Sequence, residues 1–169
     1  MIALAQMAEA VLRCADGREK TALSRGFAAE WQAARATGAV PEIGTANPPL
    51  HPARPARPEL LSPRDVPHRK PGTPEGRFTD TILPIGFYDD WVKAADEESK
   101  HFNLMADCLE EAGSHYGALP AHAGMWRAAE DTATDLMGRL AVVPMVLEAR
   151  GLDVTPGMIE VFKRAKASS

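Results

Sequence analysis

The sequence predicts an all-α fold: a long αα-hairpin preceded by shorter N-terminal helices and an extended, proline-rich arm. Two observations carry that expectation. Apolar residues recur at intervals of three and four over residues 3–14, 18–37, 86–112 and 121–149, the period of an amphipathic helix. Prolines divide these stretches. Eleven of the fourteen fall between Pro41 and Pro84, and proline both removes a backbone donor and clashes with the preceding turn. The chain is therefore expected to organise as a helical segment over 1–38, an arm over 39–84 and a helical hairpin over 85–169.

The chain's 169 residues suit one domain, and its formal net charge of -4 argues against a nucleic-acid binder. No apolar run approaches the roughly 18 residues of a membrane span. The opening stretch MIALAQMAEAVLRCADGREK carries Glu9 and Asp16 and lacks a basic leader, so it reads as a short helix and not as an export signal. Cys14 and Cys108 lie far apart in helical contexts, which suits buried thiols in a reducing compartment better than a disulfide. A mildly acidic cytoplasmic protein is the expectation.

Taken in order, residues 3 to 14 form the first helix and "DGREK" resets the chain. Leu23, Phe27 and Trp31 mark one face of the second, which Gly38 ends. Between Pro41 and Pro84 no periodicity survives, and Arg54 and Arg57 punctuate a proline at every third residue, a polyproline II pattern. Such an arm is either a docking strap or a cover lying over the helical body. Its basic residues Arg64, Arg69 and Lys70 are nearly balanced by nearby acids.

Residues 86 to 112 read as the strongest helix. Trp91, Ala94, Glu98, His101, Met105, Cys108 and Ala112 alternate at spacings of three and four, the seam of a bundle helix, and Gly113 closes it. After the turn SHYGALPAH, Pro120 suits the start of a further helix over 121–149. Its inward residues are Trp126, Ala133, Met137, Leu140, Ala141 and Leu147, with a kink expected at Pro144 and a stop at Gly151. A short terminal helix is expected over 156–166.

Within ADEESKH (95–101), Glu98 and His101 stand three residues apart on one helical face. A buried carboxylate is costly unless paired or bound to metal, so the pair is either a metal site or a self-satisfied polar pair. Glu148, on a face with Met137, Ala141 and Pro144, is a comparable anomaly. In a straight antiparallel hairpin Glu98 and Glu148 would differ in depth by about 20 Å, so a triad would not close there. Glu-x-x-His with a lone glutamate from a neighbour is nonetheless half of a carboxylate-bridged di-iron or di-manganese set. Asp131 and Asp135 read as a solvated face, and His115 and His122 as capping or packing residues. The sequence offers no nucleophile-plus-base arrangement, phosphate loop or zinc-finger spacing.

The stretches FYDDWVKAADEESKHFNLM, HYGALPAHAGMW and, most specifically, RLAVVPMVLEARGLDVTPGMI resemble the ferritin-like family catalogued as domain of unknown function 455. PARPARPELLSPRDVPHR and REKTALSR resemble that family's leading region, so the resemblance covers most of residues 1–162. It implies a ferritin-like four-helix bundle with a di-metal (iron or manganese) carboxylate centre of oxidoreductase type. Glu98 and His101 match the family's Glu-x-x-His on its second bundle helix, and Glu148 matches the isolated glutamate of its third.

The departures from the family pattern are specific. Where a first bundle helix with an Ala-His-Ile-Glu-like motif would follow Arg77, this chain runs directly into FTDTILPIGFYDDW. Where a fourth helix with a second Glu-x-x-His would follow "GMI", it runs to KRAKASS. The resemblance thus implies a shortened form, a partial bundle whose centre is incomplete in one chain. Three readings follow: a di-metal oxidoreductase completed by a homodimer that supplies Glu98, His101 and Glu148 twice; a non-enzymatic helical interaction module; or an incomplete gene product. None involves nucleic acid or a membrane.

Overall fold

A computed structural model describes residues 3–44, 83–119 and 124–167. Most of the proline-rich arm, the Arg77–Phe78 junction, Pro120 and His122 lie outside the described residues. Among those described, all regular structure is helical: α1 (Leu4–Arg13), α2 (Gly17–Ala36), α3 (Ile85–Glu111), α4 (Gly124–Asp131), α5 (Leu136–Leu140), a π-helical segment (Ala141–Glu148) and α6 (Ala149–Ala167). No described helix is long and apolar enough to cross a membrane. The chain divides into two compact units, Met1–His122 and Ala123–Ser169.

In the first unit the helix ends follow from local chemistry. The Asp16 side chain accepts from the Glu19 N–H at 2.9 Å, which satisfies one orphan donor at the start of α2. At the other end Gly38 takes a left-handed φ of 78°. Its N–H donates to the Arg35 carbonyl and the Ala39 N–H to the Ala34 carbonyl, a Schellman closure that a residue with a Cβ adopts only under strain. Gly113 (φ 76°) closes α3 in the same way, with Ser114 N–H donating to Leu109 O. The chain after α2 returns to α1: the Glu42 and Ile43 carbonyls accept from the Leu4 and Ala5 N–H groups. Backbone therefore caps a helix whose own Ala3 offers no capping side chain.

Helices α2 and α3 pack antiparallel. Arg18 pairs with Asp107 and Glu110, Thr21 donates to Asn103, Arg25 pairs with Asp96, and Arg35 with Asp89. The apolar centre is Ala28, Trp31 and Val92, with Leu4, Ile43, Ile85 and Tyr88 packed around it. Trp31 is only 2% exposed. Its indole N–H donates to Asp89 Oδ1 at 2.7 Å, which answers the polar cost of burying that ring.

The buried residues of α3 are Val92, Ser99 and Ala106, spaced at sevens. Each follows by one residue the positions Trp91, Glu98 and Met105 expected to face inward. One residue is a rotation of about 100°, so the expected seam is a different face of α3 from the one that packs on α2. The cause is the polar partners: Asp89, Asp96, Asn103 and Asp107 find donors on α2 only in this rotation. On α2 the expected face holds at Trp31, is half-buried at Phe27 and departs at Leu23. Its buried residues are Thr21, Ala28, Trp31 and Ala34, while Leu23 is exposed. Both cysteines are free as expected, but Cys108 is exposed and Cys14 only half-buried.

In the second unit the helix expected over 121–149 is interrupted. Thr132 Oγ1 donates to Ala128 O at 2.7 Å, and the Asp135 carboxylate accepts from Gly138 N–H at 2.9 Å, capping α5. Short polar side chains of this kind compete with the helical ladder, so Asp135 is a cap and not merely a solvated acid. Arg139 ties the two pieces, bonding Thr132 Oγ1 and the Ala129 carbonyl. Pro144 sits within the π-helical segment. A proline has no N–H for the i−4 carbonyl, and a widened turn accommodates its ring. The kink expected there thus takes the form of a π turn. The chain does not stop at Gly151 but continues as α6, with Pro156 inside it.

Two expected outcomes follow. Trp31→Ala should cost about 3–5 kcal/mol, readable as a fall in the urea midpoint. The Arg35 guanidinium and then the Trp31 indole hold the Asp89 carboxyl below its ordinary range, and Lys100, with Arg25, does the same for Asp96. Stability from these groups is complete above the unfolded carboxyl pKa of about 3.9 and is lost as pH falls through the folded values. Thermal melts from pH 6 to 3 should therefore show a Tm that drops at the acid end. Asp89→Asn should lower Tm at pH 6 and flatten that drop, and an unchanged acid slope would contradict the assignment.

Candidate metal-ligand pair on α3

Helix α3 is fixed in rotation by its links to α2, and this decides what its other faces present. Glu98 lies nine residues beyond Asp89, two and a half turns, and so on the opposite side of the helix. Glu98 Oε1 and His101 Nδ1 are 3.3 Å apart, with 71% of the glutamate side chain and 65% of the imidazole exposed. The expectation that this pair is buried is therefore corrected within this unit: it stands open to solvent.

Its surroundings on α3 are unusually apolar for an open face. Trp91 is 41% exposed, Met105 64% and Leu104 62%, and Cys108 is also exposed. Phe87 packs against Tyr88 and Trp91, with ring centroids 5.7 and 6.1 Å away. The nearby charges are occupied along the helix: Lys100 with Asp96 at 2.5 Å and Lys93 with Glu97 at 3.9 Å.

Glu148 is the last residue of the π-helical segment in the second unit, and it is exposed. Among the described residues, no three His, Cys, Asp or Glu side chains converge to hold a metal ion. The donor types at Glu98 and His101, a carboxylate oxygen and an imidazole nitrogen, suit iron or manganese. Two donors fall short of the ligand count of a di-metal centre, so the described residues of one chain do not fit the group. His115 is exposed in the turn after α3, where its carbonyl accepts from the Ala118 N–H.

Periodicity alone did not reveal the Asp89 and Asp96 contacts to α2. A signal was available: Arg18 and Arg25 are spaced by seven, as are Asp89 and Asp96, so opposite charges recur at the period of a helix seam.

Among the described residues the architecture is all-helical, and the longest helix, α3, carries a carboxylate–imidazole pair on an open apolar face. The chain belongs to the family described as Protein of unknown function (DUF455), whose model matches residues 75–169. A Haemophilus influenzae protein that bears the name "Uncharacterized protein" is 37% identical over 144 residues, covering 68% of this chain and 50% of the relative. The chain thus spans about half the length of the curated relative it matches. Since 68% of 169 residues is fewer than 144, the aligned stretch also includes positions with no counterpart here. No solved structure matches the chain. The family match begins before α3 and includes Glu98, His101 and Glu148, whereas α1 and α2 precede it.

Proposed function

We propose that this chain is a ferritin-like carboxylate protein in which Glu98, His101 and Glu148 serve a di-metal centre of iron or manganese, of oxidoreductase type. The supporting observation is the open Glu98–His101 pair, set among apolar side chains on a helix whose rotation is locked. A surface acid and imidazole that serve only solubility have no need of Trp91, Leu104 and Met105 around them, whereas a ligand pair awaiting cover does. One chain supplies too few donors, so the centre is completed by groups beyond it, a second copy among them.

A non-enzymatic helical interaction module is the alternative reading. It is favoured by the exposed Leu152, Met158 and Phe162 of α6, which no donor chemistry explains.

Loading the purified full chain with Fe(II) or Mn(II), followed by desalting and elemental analysis, separates the two. Retained metal is expected, with Glu98→Ala and His101→Ala each weakening retention by roughly tenfold or more, since even outer-shell changes cost 10–100-fold. Retention unaffected by both substitutions, or none in the wild type, would sink the metal reading and leave the interaction module.

A further inference from the structure

The open stripe of α3 matches itself. Trp91, Ala94, Glu98, His101, Met105 and Cys108 are spaced 3, 4, 3, 4, 3, symmetrically about the midpoint between Ser99 and Lys100. When two such helices meet antiparallel about a two-fold axis through that midpoint, each residue faces its mirror position, the layer pairing of antiparallel helices. Spacing alone would make any such stripe symmetric. What is particular here is the chemistry at the mirror positions. The Trp91 indole faces the small Cys108, the Ala94 methyl faces the long Met105, and the Glu98 carboxylate faces the His101 imidazole. Large meets small in the outer layers, and acid meets base in the central one. One layer further out, Phe87 faces Ala112 in the same sense.

We propose that this face is a docking surface for a second copy of the chain. Two α3 helices pair antiparallel, so that Glu98 meets the partner's His101 and His101 meets the partner's Glu98. The occupant is a second copy because the complementarity is to the stripe itself, in both charge and volume. The stripe is available: it lies about 100° from the seam that packs on α2, and its polar pair and Met105 are each more than three-fifths exposed. Pairing removes Trp91 and Met105 from water and gathers two carboxylates and two imidazoles at the axis. It deepens the proposed function by naming a source of the missing donors, but the packing itself needs no metal.

Disulfide trapping in the full chain tests the register. In a Cys14→Ser background, Trp91→Cys sets a thiol opposite the partner's Cys108, and mild oxidation in EDTA should give a covalent dimer on a non-reducing gel. Lys93→Cys, which points away from the stripe, should not. Linkage that persists when Cys108→Ser is added to Trp91→Cys would overturn the antiparallel register, as would equal linkage through Lys93→Cys.

Because Trp91→Cys removes an aromatic, a second pair of variants reads the same layers by mass in solution. Ala94→Met overfills a layer and Met105→Ala empties one. Each should raise the dimer dissociation constant at least about tenfold, equivalent to 1.4 kcal/mol. The double variant restores large against small and should recover most of the loss. A double variant as weak as the singles, or a wild-type chain that stays monomeric at millimolar concentration, overturns the proposal. Metal retained by a monomer would refute the docking and leave the metal reading standing. A trapped dimer that holds no metal does the reverse.

Discussion

The Asp89 carboxylate is the contact on which the arrangement of the first unit turns. It accepts the Trp31 indole N–H and the Arg35 guanidinium, which permits the largest apolar side chain of α2 to be buried without an orphaned donor. The same Arg35 also reaches the Ala39 carbonyl, tying the exit of α2 to the packing below it. With Asp89 held against α2, the azimuth of all twenty-seven residues of α3 is set. Glu98 and His101 face outward as a consequence, not through any preference of their own.

The seam that Asp89 anchors is lined by small residues. Ala28, Ser99 and Ala106 leave little volume between the helices, and Ser99 spends its hydroxyl on the Ala95 carbonyl of its own helix. At the far end Gly17 lets the Phe102 ring lie close. A Cβ built on Gly17 would sit 2.5 Å from that ring, which is held edge-on by Tyr116. Close approach and polar bridging therefore take the place of a large apolar core. Exposed ion pairs contribute little individually, but as a ladder along one seam they specify which face meets which.

The second unit is built differently. Its breaks are each traceable to a residue: Thr132 and Asp135 end one helix and cap the next, Arg139 bridges them, and Pro144 widens the turn that follows. None of its described residues is fully buried, and Met137, Met145, Leu152 and Phe162 are all more than two-thirds exposed. Apolar surface of this extent calls for cover.

The sequence by itself determined where the helices of the first unit run. Helix ends obey local rules: the Asp16 cap, the glycines at 38 and 113, and Pro84 just ahead of α3. It also placed Glu98 and His101 side by side, because a spacing of three on a helix leaves no freedom. The interruption at Thr132–Asp135 was not legible from periodicity, since side-chain hydrogen bonds there compete with a ladder that the apolar pattern favours. Only the tertiary structure decided which face of α3 is packed. Two stripes one residue apart, Trp91–Glu98–Met105 and Val92–Ser99–Ala106, both carry helical spacing, and the first holds the larger side chains. The choice fell to the second because its flanking acids find their donors on α2, some seventy residues away, and a local pattern holds no information about partners at that distance.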